Sequence, residues 1–484
     1  MRAPAFVLVV AALLAAASVA GAQESQTVPG ARSTPPPPGP PRAVRYPVPV
    51  ATVLPNGLRV IAVRVPGSAL VAADLTVAGG AIAEPDALPG VATITASLLT
   101  RGTARRSANA LAIALDALGA TLNATAGLDR TDVTADALRA RFPATLAILA
   151  EAAREPSFAP DEVALAKQRA ASAIAIAAGS PSALAAAVAQ RALFANAAGR
   201  PVTGTTSSVA AITRDDIAAY HRARYRPDGA QLTIGGDIAP ADAFALASAA
   251  FGSWTASGAA PAALPTSVPA APRVIVVDQP SAGRTAVVVA HLAPLRTAPD
   301  WAAASIANAV LSGYSGRLNE EIRVKRGLSY GAASTYQTGR YAANTKAGTL
   351  VEHAKAPEAL DVMLRTVGSL AAAPPAADEL AARRTSLLGQ LASSVETTAG
   401  LVRAIAADAA SGLPLDALTA GTAALNTVDA AAVGHVASTS FAPAPTIVLV
   451  GDASKFIDAV RKAHPDVQVV KAADLDLTTA ALTH

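Results

Sequence analysis

The stretch Gly313–Gly331 stands out in an Ala-rich chain for its density of charged and hydroxyl side chains. Arg323 and Tyr330 lie seven residues apart within it. A guanidinium and a phenol both donate hydrogen bonds, and Arg stays charged at any relevant pH. Such a pair suits hydrogen bonding to the backbone of a peptide. Taken alone, the same two residues would more readily be an ion pair and a packed ring, and it is the surrounding residues that favour the functional reading. Two neighbouring patterns are decoys. Gly327-Leu-Ser329-Tyr-Gly331 fits the G-x-S-x-G nucleophile elbow, but that elbow needs a strand before the Ser and a helix after it, the reverse of the order here. Glu320 and Glu321 are adjacent on a helix, so they point in different directions and cannot flank one bond; they read as solvated charge.

The elements around Arg323 and Tyr330 follow from residue type. Small residues open the stretch, and an amphipathic helix follows with Leu318, Ile322 and the stem of Lys325 on one face. Lys325 and Arg326 fall in the last turn, where cations favour the helix dipole, and Gly327 can take the left-handed residue that ends the helix. Leu328–Tyr336 reads as a strand.

Composition bounds the rest. At 484 residues the chain exceeds one ordinary core, so two or more domains are expected. The net charge of +4 and the lack of basic runs interleaved with aromatics disfavour nucleic acid. There are no cysteines, which excludes disulfides, thiolate ligands and a Cys nucleophile. The six histidines are nowhere closer than twenty residues, so no local pair nominates a metal site. His221 and His435 read instead as sharing a packing or hydrogen-bonding role. Residues 1–22 read as a secretory signal: Arg2, an apolar run from Phe6 to Ala17, and Ala20-Gly21-Ala22. An exported, periplasmic or otherwise extracytoplasmic protein is expected, with no membrane span in the mature chain. The uncharged stretch Ala170–Gln190 contains Gly179-Ser-Pro-Ser182 and reads as two helices with a break.

Residues 23–45 form a Pro-rich linker. Asn56-Gly57 between two β-rich runs predicts a hairpin, Thr121–Thr134 another, and Thr213-Arg-Asp-Asp216 a helix capping box. The second half repeats the first at an offset of 214: Arg59-Val-Ile-Ala-Val63 with Arg273-Val-Ile-Val-Val277, and Thr213 and His221 with Thr427 and His435. The fold class is α+β, with two tandem, duplicated domains, each a mixed or antiparallel sheet flanked by helices. Residues 46–257 form the first domain, 258–272 a linker, 273–460 the second domain and 461–484 a C-terminal tail.

Leu54-Pro-Asn-Gly-Leu-Arg-Val60, Gly90-Val-Ala-Thr-Ile-Thr-Ala-Ser-Leu-Leu-Thr-Arg-Gly-Thr103, Gly119–Thr125 and Gly316–Gly331 together resemble the pitrilysin/insulysin-type zinc peptidases. The resemblance covers roughly residues 50–455. Members of that family place H-x-x-E-H on the helix after Gly90, two imidazoles for zinc and a Glu as general base. Here the five positions read Thr93, Ile94, Thr95, Ala96 and Ser97, so Thr93, Ala96 and Ser97 are degenerate. The third ligand, a Glu some seventy residues on, is also missing: no Asp or Glu occurs between Glu162 and Asp215. The resemblance assigns Arg323 and Tyr330 as donors to the substrate backbone. It implies no catalytic residue and no cofactor in this chain, and zinc in a homologous H-x-x-E-H-bearing partner. The expected function is the non-catalytic, substrate-binding subunit of a heterodimeric zinc metallopeptidase, inactive alone. A metal-free peptide-binding homodimer and a structural subunit of an envelope assembly are the alternatives.

Overall fold

The computed structural model describes residues 45–260 and 262–483; the expected signal segment and most of the Pro-rich linker lie outside them. The first half runs β1 (Val50–Val53), β2 (Arg59–Arg64), β3 (Leu70–Ala78), α1 (Val91–Leu98), α2 (Ala108–Leu118), β4 (Thr121–Ala126) and β5 (Arg130–Leu138). It continues with α3 (Phe142–Arg154), α4 (Pro160–Gly179), α5 (Pro181–Leu193), α6 (Thr206–Ala211), α7 (Arg214–Arg224), β6 (Ala230–Gly236) and α8 (Pro240–Phe251). Asn56-Gly57 turns β1 into β2, with Val53 opposite Arg59 and Gly57 at φ +93°. At α7 the capping box forms: Thr213 accepts from the Asp216 N–H, and Asp216 accepts from the Thr213 N–H at 2.9 Å.

The second half runs β7 (Val274–Asp278), β8 (Thr285–Leu292), α9 (Trp301–Leu311), α10 (Arg317–Asn319), β9 (Ala332–Thr338) and β10 (Ala343–Val351). Then come α11 (Ala356–Ala372), α12 (Ala377–Ser394), α13 (Thr398–Ala410), α14 (Ala417–Thr427), α15 (Ala430–Val436), β11 (Thr446–Gly451), α16 (Ile457–Ala463) and β12 (Gln468–Lys471). The two six-stranded sheets have matching orders, β1-β2-β6-β3-β5-β4 and β12-β7-β11-β8-β10-β9. The duplication is therefore structural, and the α+β expectation holds. Two details depart from it. Residues 461–484, expected as a tail, complete α16 and add β12 in parallel to β7, with Leu482 fully buried. Gln468-Val-Val-Lys471 is too short and too polar at its ends to stand out as a strand. Thr427 does not cap α15 as Thr213 caps α7; Asp429 does, accepting from the Ala432 N–H at 2.7 Å.

Each half lends a helix to the other's sheet. On β2, Val60 and Ala62 face the helices of their own half, packing with Ile94, Leu146 and Phe251. Their neighbours Ile61 and Val63 face the opposite way, against Leu401, Val402 and Ile405 of α13. Reciprocally, Ile275 and Val277 of β7 and Val448 and Val450 of β11 pack against Leu184, Val188 and Ala192 of α5. Both faces of each sheet are thus covered, which is why Val60–Val63 of β2, Val274–Val277 of β7 and Ile447–Val450 of β11 are unbroken apolar runs rather than alternating ones. Gly235 permits the exchange: a Cβ there would lie 2.5 Å from Val402 Cγ2.

Helices α4 and α5 meet at 99° across the Gly179-Ser180 break, as the sequence predicts. Among the described residues no single helix is long and apolar enough to cross a membrane.

Candidate functional site

The segment after α9 is built to hold Arg323 and Tyr330 side by side. Leu318 and Ile322, one turn apart, are fully buried in the second core. Around Ile322, Glu320–Val324 forms a wide π-type turn, closed by the Lys325 N–H to the Glu320 carbonyl at 3.0 Å. Such turns change which way the following side chains project. Gly327, at φ +59°, reverses the chain in the left-handed conformation that the sequence assigns to it. Leu328 then returns to the core, and its N–H reaches the Ile322 carbonyl at 2.9 Å. The strand predicted from Leu328 starts only at Ala332, because residues 328–331 are held by side chains instead. Ser329 Oγ donates to the Leu350 carbonyl at 2.7 Å, and Thr349 Oγ1 donates to the Gly331 carbonyl at 2.9 Å. Ser329 is therefore a structural pin in the G-x-S-x-G decoy, and the backbone on both sides of Tyr330 is fixed.

The guanidinium carbon of Arg323 lies 4.8 Å from the Tyr330 ring centre and 5.1 Å from that of Tyr314. Both rings are more than 80% exposed. Arg323 is thus held from both sides by cation–π contacts, each worth ~0.5–1 kcal/mol at a surface. Among the described residues neither its guanidinium nor the Tyr330 hydroxyl has a hydrogen-bond partner. The other cations of the segment are spent. Arg317 makes a two-pronged pair with Glu379, and Lys325 and Arg326 both pair with Glu321, whose carboxyl they hold below its usual range.

Tyr314 is absent from the reading of the sequence. Its position depends on Asn319, which is buried and donates to the Tyr314 carbonyl at 2.7 Å. In the Arg-Leu-Asn run, Arg317 anchors to α12, Leu318 fills the core and Asn319 clamps the loop. A Tyr flanked by Gly313 and Ser315 carries no periodic signal, so only the fold reveals it.

The degenerate positions lie on α1. Glu84 secures the start of this helix by accepting from the N–H groups of Gly90 (2.9 Å) and Ala92 (2.8 Å). Burial pushes Glu84 up to about 7, although both bonds favour its ionised form. Thr93 Oγ1 donates to the Val202 carbonyl at 2.7 Å, and Ser97 Oγ to the Ile94 carbonyl at 2.8 Å. Ala96 is buried in the first core. Thr93 and Ser97 border a cavity of about 320 Å³ whose far wall is Glu162, Ala166, Arg169, Ala170 and Ala173 of α4. Two hydroxyls committed to backbone carbonyls, facing alanines, a guanidinium and the single carboxylate of Glu162, do not fit a zinc ion, which takes three or four imidazole, thiolate or carboxylate ligands. Among the described residues no three His, Asp or Glu side chains group to hold a metal.

His221 and His435 do not share a role. His221 Nε2 donates to the Ala153 carbonyl at 2.8 Å and its ring stacks on Tyr225 at 4.5 Å; burial pushes its pKa down to about 4. His435 is exposed.

Known proteins agree with this architecture. The family model described as Insulinase (Peptidase family M16) matches residues 59–206, and that for the Peptidase M16 inactive domain matches residues 211–387. An uncharacterized zinc protease of Mycobacterium leprae is 30% identical over 287 residues, 58% of this chain and 64% of that protein. One from Mycobacterium tuberculosis is 30% identical over 291 residues, covering 59% and 66%. The matched part thus spans just under two thirds of these relatives' length. Among solved structures, a peptidase M16 inactive domain from Pseudomonas fluorescens superposes with a TM-score of 0.77 at 24% identity, over 83% of this chain and 98% of that one. A protease from Helicobacter pylori gives 0.76 at 19%, over 84% and 100%. With both domain models in tandem and no metal-binding residues on α1, the chain belongs to the M16 (insulinase) peptidase family as a non-catalytic member.

Proposed function

We propose that this chain is the substrate-binding subunit of an exported, two-chain zinc peptidase. A homologous partner carrying H-x-x-E-H would hold the metal, and this chain would supply Arg323 and Tyr330 as hydrogen-bond donors to the peptide. The observation that carries the reading is the contrast within one segment. Arg317, Lys325 and Arg326 are neutralised by carboxylates, while the half-buried Arg323 and the exposed Tyr330 are held together and have no hydrogen bond to the described protein. A pre-positioned donor pair costs little reorganisation when an oxyanion develops beside it. Strand β4 stands at the open end of the first sheet with Asn123 and Thr125 exposed, an edge that can accept an extended peptide as a further strand. No metal-bound water can be activated on α1, so hydrolysis requires the second chain. The signal-like N-terminus supports export to the periplasm or another extracytoplasmic space.

Co-expression with an H-x-x-E-H homologue tests this, with peptide cleavage assayed for each chain alone and together. Activity only in the combined sample is expected. Full activity of the partner alone, or no physical association, contradicts it. A metal-free peptide-binding homodimer is the second reading, favoured by an edge strand and donor pair that this chain carries without help. It is distinguished by peptide binding without any zinc-bearing partner.

A further inference from the structure

Between the two halves lies a separate cavity of about 720 Å³, bordered by the β4–β5 turn, α5 and strands β9 and β10. Two side chains on one face of β10, Asn344 and Lys346, line it. Both donate to one atom: Asn344 Nδ2 and Lys346 Nζ each lie 3.1 Å from Gln190 Oε1. Gln190 is oriented by its own amide, whose Nε2 donates to the Ala198 carbonyl at 2.9 Å. That fixes Oε1 as the acceptor and hence fixes the Asn344 amide with its nitrogen toward Gln190. The Asn344 oxygen is left over. Asn344 is 2% exposed, and its Oδ1 has no hydrogen-bond partner among the described residues.

Lys346 is unusual in the same way. Its ammonium has three donors and bonds a neutral amide oxygen rather than a carboxylate. The other charges on the cavity wall are already matched: Arg130 with Asp132 and Asp129, and Arg200 with Asp86. Burial alone pushes the Lys346 pKa down to about 8, with no neighbouring charge contributing. The fold does not impose a cation here. The repeat-equivalent position on β5 is Asp132, which pairs with Thr76 as Lys346 pairs with Ala290, again at an offset of 214.

We propose that this cavity binds the C-terminal residue of a peptide, with Lys346 donating to the free α-carboxylate and Asn344 Oδ1 accepting the residue's amide N–H. A half-buried ammonium with spare donors calls for an anion, and a buried acceptor without a donor calls for an N–H. The last residue of a peptide presents an amide N–H and a carboxylate on the same α-carbon, whereas inorganic phosphate offers its anion with only a P–O–H donor on the same small group. The volume is in the range of a small-ligand site. The ligand class rests on the peptide-binding reading above; the site itself rests on the cavity and its two unmatched groups.

The test uses a degenerate-sequence nonapeptide pool, fluorescein-labelled at its N-terminus, in free-acid and C-terminal amide forms. Fluorescence anisotropy on the full chain should show the acid form binding about tenfold tighter or more, the loss expected for one charge-assisted hydrogen bond. Lys346→Met should abolish that preference by bringing the acid form down to the affinity of the amide form. It should also melt no lower than wild type, since it removes a buried charge that has no opposite charge beside it. Asn344→Asp, which sets a carboxylate beside the ammonium, should abolish the preference independently. Equal binding of acid and amide forms by the wild type overturns the site and leaves the peptide-binding reading standing. Binding of neither form overturns both.

Discussion

The guanidinium of Arg323 and the ring of Tyr330 stand 4.8 Å apart across a left-handed glycine, and neither has a hydrogen bond to the described protein. Tyr314 closes over the other side of the guanidinium. Three side chains separated by up to sixteen positions in sequence are thereby held as one patch, a half-buried guanidinium between two exposed rings.

The clamp on that patch is Asn319. Asn319→Ala removes its 2.7 Å bond to the Tyr314 carbonyl from a buried setting. The expected cost is about 1–3 kcal/mol of stability, read as a lower midpoint in urea unfolding. Tyr314 should also become more mobile, measurable as increased hydrogen exchange over residues 312–316. Unchanged exchange there would show that the loop is held by something else.

The exchanged helices make a second prediction. Gly235→Ala places a methyl 2.5 Å from Val402 and 2.8 Å from Val63, in a layer where α13 of one half covers the sheet of the other. Overpacking of that kind costs about 1–3 kcal/mol. Val402→Ala should relieve part of it in the double variant, a non-additivity that a purely local effect would not produce.

Acid stability should depend on His221. The ordinary His value is 6.5, and burial holds it at about 4 in the folded chain. Below 6.5 the unfolded state binds the proton more readily than the folded one. This contribution is therefore fully present above pH 6.5 and is lost as pH falls from 6.5 through about 4, by up to about 3 kcal/mol. His221→Phe should reduce the acid-side fall in melting temperature while lowering stability at neutral pH through loss of the bond to Ala153. An identical pH profile for the two proteins would contradict this.

Much of this was legible from the sequence, for local reasons. Asn56-Gly57 fixes a hairpin because few dipeptides accept positive φ, and Thr213 with Asp216 marks a helix start by reciprocal hydrogen bonds. Gly327 takes the left-handed conformation that its place after the last cationic turn assigns to it, because a glycine is the residue that reverses the chain there without strain. What was not legible is non-local. The swap of α5 and α13 between sheets leaves no periodic trace, since Ala-rich helices can pack on either half. The π-type turn at Glu320–Val324 shifts hydrogen bonds by one residue without needing a particular residue type. Lys346 looks like an ordinary strand cation until α5 is placed over it, and the strand at Gln468–Lys471 is recognisable only beside β7.

The central claim is that Arg323 serves a metal it does not bind. The most direct measurement compares the wild-type and Arg323→Ala chains, each co-purified with an H-x-x-E-H homologue, for zinc content and peptide cleavage in the same sample. Zinc content and assembly unchanged, with cleavage reduced by about 10²–10³-fold, is the expected result. Undiminished cleavage, or loss of zinc or assembly along with activity, would contradict it.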